Sequence, residues 1–136
     1  MYAVSVDMFP KLFGTLKAHP TFASFNDSKG RFKVFDGDES PTAQTPFITV
    51  DFLPVNVHRL TEWSEPEAMF HVTGEGTDAS ELWRLAREVR DIFCDSNIFS
   101  DGTHYEVLGP ALFSQSRNPI TEHKVVTVSL HFGVLS

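Results

Sequence analysis

The clearest pattern along the chain is a stripe of apolar residues at helical spacing, with charged residues at the positions between them. The apolar members are Leu82, Leu85, Ala86, Val89, Ile92 and Phe93. This spacing predicts an amphipathic helix that buries one face against a core. Near the start of the chain, Leu12, Phe13 and Leu16 predict a second, shorter helix. Pro20 limits its C-terminal end, because the residue before a proline disfavours the helical conformation.

Alternating apolar and polar residues predict strands elsewhere. The segments are a short one around Phe32 and Val34, longer ones at 46–54 and 68–74, a broken one at 104–113 and a final one at 124–136. The side chains expected to face the core are Ile48, Val50, Phe52, Ala68, Phe70, Val72, Val126, Val128, Leu130, Phe132 and Val134. The segment 54–66 is compatible either with a long hairpin arm or with a loop.

The order helix, three strands, helix and two strands predicts an α+β domain. We expect a mainly antiparallel, mixed sheet of about four to five strands, with the long helix and the short N-terminal helix packed on one face. Residues 1–136 form a single domain in this interpretation, and a chain of this length buries enough surface for a stable core.

Several large apolar residues fall on strand positions that face away from the predicted core. They are Phe35, Phe47, Met69 and Trp63, in a chain that contains 13 phenylalanines. One thin sheet with two helices leaves such side chains exposed unless a partner covers them, so the pattern favours an interaction surface. Ordinary compact packing within the chain is the alternative.

The charge of the chain is negative and unevenly distributed. The net charge of -7 disfavours binding to a phosphate backbone as the main activity. Residues 1–35 contain five bases and two acids, whereas residues 36–81 contain one base and ten acids. A basic opening and an acidic middle are complementary if like subunits meet front to back. A solvated acidic face is the alternative interpretation.

The sequence also predicts a compartment. Cys94 is the single cysteine, so an internal disulfide cannot form and a reduced cytosol is expected. The start of the chain lacks the basic flank and the apolar run of a signal peptide, and no segment reaches the roughly 20 apolar residues of a membrane span. We therefore expect a soluble protein without a membrane partner.

The turn GEGTD, between a predicted strand and the long helix, raises the question of a phosphate-binding loop. A Walker loop requires a lysine followed by Ser or Thr, and the dinucleotide fingerprint requires a third glycine. This turn has neither, and Glu75 and Asp78 would repel an anion. We interpret it as a structural joint in which Asp78 caps the helix and Glu81 completes a capping box.

Other catalytic and metal-binding patterns are also missing from the sequence. The six histidines and the cysteine lack zinc-ligand spacing, the segment after Asp36 lacks the Gly and Glu of a calcium loop, and no serine stands in a nucleophile elbow. We therefore expect no enzymatic activity, no metal and no cofactor. If a ligand site exists, its candidates are Asp51, His71 and His131, which lie far apart in sequence.

The order of segments resembles a known family. The VFDG turn at Val34 to Gly37, the strand PFITV, the segment FHVTGEG followed by DASELWRLAREVRDIF, and the closing alternating strand together resemble the tail terminator (tail completion) proteins of long-tailed bacteriophages and gene transfer agents. The resemblance covers nearly the whole chain. It rests on segment order, length and patterning, since this family has no invariant catalytic signature.

The resemblance implies an α+β subunit that assembles into a ring, typically a hexamer, at the head-proximal end of a phage tail. Such a ring ends elongation of the tail tube and offers a surface for head joining, and DNA later passes through it without specific binding. The implied partners are further copies of the chain, the tail tube protein and a head-completion or connector protein. The implied location is the virion, after assembly in the host cytoplasm.

Charge suggests which residues line the channel or form subunit contacts. The acidic candidates are Asp36, Asp38, Glu39, Glu62, Glu65 and Glu67, and the basic candidates are Lys29, Arg31 and Lys33. A channel that DNA crosses without sticking should not be basic, because each neutralised phosphate adds affinity. We therefore expect acids along the channel. A head-closure or minor capsid protein is the main alternative function, and a small-ligand binding domain is a further one.

Overall fold

The computed structural model describes residues 8–37, 44–53, 57–58, 63–75 and 79–135. These ranges contain the helices α1 (Met8–Ala18) and α2 (Ser80–Cys94) and a 3₁₀ helix at Pro20–Phe22. The strands of the described residues are β1 (Val34–Asp36), β2 (Phe47–Leu53), β3 (Val57–His58), β4 (Trp63–Ser64), β5 (Glu67–Gly74), β6 (Tyr105–Val107), β7 (Leu112–Arg117) and β8 (Lys124–Leu135).

The strands form one mixed sheet in which β8 is central. One edge of β8 pairs with β4 and β5, and its other edge pairs with β6 and β7. On the outer side of β5 lies β2, which in turn pairs with β1. The β1–β2 pair is parallel, and the other pairs among the described strands are antiparallel. The predicted α+β class and the mainly antiparallel, mixed sheet are confirmed.

The sheet is larger than the four to five strands expected, because it contains eight strands within the described residues. The broken segment at 104–113 contains two strands, because Gly109 and Pro110 separate β6 from β7, and Pro66 separates β4 from β5. The segment 54–66 adds a short hairpin, in which β3 pairs with β4. The structure therefore favours the hairpin arm over the loop for this segment, although residues 54–56 and 59–62 lie outside the described ones.

Both helices contribute to one hydrophobic cluster on the same side of the sheet. The predicted stripe of α2 is buried in full, and the predicted inward residues of β2, β5 and β8 are buried apart from Phe52, which is half-buried. Phe93 of α2 stacks on Phe70 of β5 at 5.5 Å between ring centroids and meets Phe132 of β8 edge-on at 5.6 Å. Three residues of α1 join the same cluster. The opposite face of the sheet is left without a helix from the described part of the chain.

The N-terminus of α2 differs from the prediction. Its N-cap residue is Ala79, whose own side chain makes no capping hydrogen bond. The predicted cap, Asp78, lies outside the described residues. Glu81 pairs with Arg84 one turn further along the helix, and the capping box with Asp78 stays a prediction. Glu81 still places a negative charge in the first turn, where it interacts favourably with the helix dipole.

Candidate functional site

The face of the sheet away from the helices, which we call the open face, is the first candidate surface. Strand register places its side chains in rows across β2, β5, β8 and β7. One row is Asp51, Met69, Ser129 and Leu112, and the next is Thr49, His71, Thr127 and Ser114. These side chains are half-exposed or exposed, whereas their inward neighbours are buried. The open face is therefore a mixed polar and apolar surface.

His71 joins three neighbouring strands on the open face. Its Nε2 atom lies 2.9 Å from Oδ2 of Asp51 on β2, and its Nδ1 atom lies 2.8 Å from Oγ1 of Thr127 on β8. The side chains of His71 and Asp51 are 25% and 47% exposed. Strand alternation puts all three residues on one face, and the antiparallel registers bring them within hydrogen-bond reach.

A carboxylate, an imidazole and a hydroxyl in a row are also the components of a nucleophilic triad. A triad works beside donors for an oxyanion in a site that excludes water. The His71 row lies instead on a half-exposed strand surface, with Thr127 in the middle of β8. Its geometry fits a cross-strand hydrogen-bond network that fixes the register of β2, β5 and β8.

The described members of the acidic set lie at one end of the sheet, which we call the acidic end. Asp36 ends β1, Glu67 begins β5, and Glu65 lies between β4 and β5. The end of β1 and the start of β5 lie at the same end of the sheet, because β1 and β2 run in the same direction and β5 runs against them. Asp38, Glu39 and Glu62 lie outside the described residues. The topology thus gathers carboxylates that are distant in sequence.

Glu65 is held by aromatic and imidazole neighbours. Trp63 Nε1 donates a hydrogen bond to Glu65 Oε2 at 3.0 Å, and His131 Nε2 lies 3.5 Å from Glu65 Oε1. Glu67 is opposite His131 in the strand register. The Trp63 ring lies so close to Gly133 of β8 that a side chain at that position would collide with it. The side chains next to the acidic end are therefore closely packed.

The basic set lies just before β1, at the end of that strand away from the acidic end. Lys29 and Arg31 are exposed, and Asp27 accepts hydrogen bonds from both of their backbone amides and from Arg31 Nε. The bond from the Arg31 amide is the main cause that lowers the pKa of Asp27. Lys33 is buried with Nζ 4.7 Å from the Phe25 ring centroid, and burial lowers its pKa. The exposed positive charge of the set thus comes from Lys29 and Arg31.

The three ligand-site candidates from the sequence do not form one group. Asp51 and His71 are in contact, whereas His131 lies against Glu65. Thr127, which completes the His71 row, occupies an outward position on the final strand, as every second residue there does. The strand register, which the sequence does not state, is what distinguishes Thr127 from its neighbours.

Among the described residues, no three His, Cys, Asp or Glu side chains are arranged as ligands for a metal ion. Within the same ranges, no helix is long and apolar enough to cross a bilayer.

Comparison with known proteins relates this fold to that of a virion component. A solved chain from the virion of a native gene transfer agent particle has a similar structure, with a TM-score of 0.70 and 14% sequence identity over 100% of both chains. At this level of identity, the likeness shows a common fold and no more. No protein-family model matches the chain, and no curated protein sequence matches it.

Proposed function

We propose that the protein is a structural subunit of a phage-like particle and that it acts as a tail terminator. The observation that supports this most is the full-length likeness in fold to a chain of a gene transfer agent virion. The segment order along the sequence, which resembles tail terminators, favours this role among virion proteins. The protein then works by binding its own copies and its neighbours, without catalytic turnover and without a cofactor or metal.

In this proposal, copies of the chain join head to tail into a ring, with a hexamer as the expected size. A contact of this kind needs two different surfaces on each subunit. The exposed cations Lys29 and Arg31, at the start of β1, belong to one of these surfaces. The ring caps the tail tube protein, ends tube elongation and presents its other side to a head-completion or connector protein.

The acidic end lines the central channel in this proposal. Its carboxylates repel the phosphates of passing DNA, so DNA crosses the ring without being retained. The hydrogen-bonded row of Asp51, His71 and Thr127 serves to hold the sheet together. The half-exposed open face, with Met69 and the exposed Leu112, remains for contact with the tail tube or the head partner.

Deletion of the gene in a particle-producing host separates a tail terminator from a head-closure protein. Without a terminator, tail tubes should grow to uncontrolled lengths and remain unjoined to heads. Without a head-closure protein, tails should keep their normal length while heads fail to join. Electron microscopy of the released particles measures the tail-length distribution. Overlong tubes support the proposed function, and a normal distribution contradicts it.

A further inference from the structure

The turn between β7 and β8, residues 118–123, presents an apolar side chain to solvent. Ile120 is 89% exposed, more than any other large apolar residue among those described. The turn is fixed by its own hydrogen bonds. Asn118 Oδ1 accepts from the amides of Ile120 and Thr121, and the Asn118 carbonyl accepts from the amide of Glu122 at 2.8 Å. A partner that covers this side chain removes its apolar area from water, which favours association.

A groove with aromatic walls lies at the opposite edge of the sheet, between α1 and β1. It has a volume of about 330 Å³, and Phe9, Phe13 and Phe32 are among its lining residues. Phe13 contacts Phe9 at 5.7 Å and Phe32 at 5.2 Å between ring centroids, so the rings form a continuous apolar wall. The exposed cations Lys17 and Arg31 also line the groove. This combination suits an apolar side chain with a carboxylate close to it.

We propose that Ile120 of one copy inserts into this groove of the next copy, with Glu122 facing Lys17 and Arg31. The inference rests on the proposed ring and names its subunit contact. The β7–β8 turn and the start of β1 lie at the same end of the sheet, because β8, β2 and β1 run in one direction. They lie at opposite edges, because β1 and β7 are the outermost strands on the two sides of β8. A contact between opposite edges repeats from copy to copy, as a closed head-to-tail ring requires.

Glu122 can exchange its present partner at little cost. Its Oε2 atom lies 3.6 Å from Nη1 of Arg117, and the two side chains are 74% and 59% exposed. Exposed pairs of this kind contribute little to stability. Glu122 also has a positive φ of 64°, which is uncommon for a residue with a side chain. Such backbone conformations persist where the surrounding structure holds them, and they are frequent at functional sites.

The first test measures self-association of the full chain by sedimentation over a concentration series. Ile120→Asp should raise the concentration at which half of the protein is assembled by about tenfold or more, as for a central interface residue. The subunit itself should fold normally, because Ile120 is exposed. The matched control is Ile98→Asp, an exposed apolar residue in the loop after α2, which should assemble as the wild type does.

The second test examines whether opposite charges hold the contact together. Glu122→Lys and Lys17→Glu should each weaken assembly, because each places like charges across the contact. An equimolar mixture of the two variants should assemble better than either alone, since residues 17 and 122 then carry opposite charges at every contact of an alternating ring. Glu106→Lys, an exposed acid on β6 at the same edge as the turn, is the control for charge reversal.

The outcomes separate this inference from the proposed function. The proposed contact is wrong if Ile120→Asp assembles as well as the wild type does. It is also wrong if the mixture assembles no better than either variant alone. Neither result contradicts the proposed ring. If only Lys17→Glu weakens assembly, the groove binds a different part of the neighbouring copy, and the proposed contact is again wrong. Normal tail lengths after gene deletion would instead contradict the proposed function itself.

Discussion

His71 lies with its Nε2 atom 2.9 Å from a carboxylate oxygen of Asp51, and this contact joins β5 to β2 on the open face. The other ring nitrogen reaches Thr127 of β8 at 2.8 Å. One side chain therefore ties three strands together at the centre of the sheet. The same three groups would also be needed for nucleophilic chemistry, so their role decides between a structural and a catalytic account of this face.

The structural account predicts a moderate loss of stability when the imidazole is removed. His71→Ala should lower the free energy of unfolding by about 1–2 kcal/mol, because two partly exposed hydrogen bonds are lost. Urea denaturation followed by circular dichroism measures this. Ser129→Ala, an outward change on the same face, is the control and should stay within about 0.5 kcal/mol of the wild type. Equal stability of His71→Ala and the wild type would exclude a role in holding the sheet.

Tyr105 should make the stability of the protein fall at high pH. Its hydroxyl donates to the Phe93 carbonyl at 2.7 Å, and burial raises its pKa to about 12. In the unfolded chain, tyrosine ionises near pH 10, at about its ordinary pKa. Between these two values, the folded state binds more protons than the unfolded state, so stability decreases as the pH rises through that window.

The matching variant is Tyr105→Phe. It should remove this part of the alkaline slope and, at neutral pH, cost about 1–2 kcal/mol, because the buried Phe93 carbonyl loses its donor. Thermal unfolding at a series of pH values measures both effects. An alkaline slope that is the same in the variant and the wild type would show that another group is responsible.

Lys11 should contribute stability that disappears in acid. Its ammonium lies 2.7 Å from Asp101 Oδ2 and 3.0 Å from Thr103 Oγ1, which ties α1 to the turn after α2. The Lys11 hydrogen bond is the main cause that lowers the pKa of Asp101 to about 2. The contact is therefore fully present above the ordinary aspartate pKa of about 4, and it weakens as the pH falls towards the folded value.

Removal of the ammonium tests this contact. Lys11→Met should reduce the loss in the free energy of unfolding that occurs as the pH falls. The reduction should be less than about 1 kcal/mol, because Asp101 is well exposed. Chemical denaturation at several acid pH values measures this loss, and Lys29→Met provides a control lysine from the basic set. An unchanged loss in Lys11→Met would mean that the contact adds nothing in solution.

The acidic end should matter for DNA passage and not for ring formation. The triple change Asp36→Asn, Glu65→Gln and Glu67→Gln removes three carboxylates and weakens the repulsion of phosphates. Particles with this variant should assemble normally but eject DNA more slowly or incompletely, as measured by DNA release from purified particles. A control that neutralises the exposed acids Glu75 and Glu81, which lie towards the other end of β5, should eject normally. Normal ejection by the triple variant would show that these acids do not line the channel.

Hydrophobic periodicity was sufficient to predict the core. The stripe of α2 and the inward residues of β5 and β8 are buried as expected, because burial follows the repeat of each element. Strand number was not predictable in the same way. The break at Gly109 and Pro110 is visible in the sequence, but the pairing of β3 with β4 depends on contacts across the hairpin, which the pattern does not contain.

The candidate site depended more on tertiary structure. The contact between Asp51 and His71 requires the register of β2 on β5, and the acidic end requires the direction of three strands. Lys33 illustrates the limit of alternation. Its pattern suggested an exposed cation beside Arg31, but its ammonium lies over the Phe25 ring, and the side chain is buried. An aliphatic stem that packs along an aromatic surface allows this arrangement.

Electron microscopy of the purified, assembled protein shows whether the chain forms a ring. Head-to-tail assembly should give closed annular particles with cyclic symmetry, in which every copy contacts its neighbour through two different surfaces. A single monomeric species at every concentration, or dimers in which two copies meet through the same surface, would contradict it.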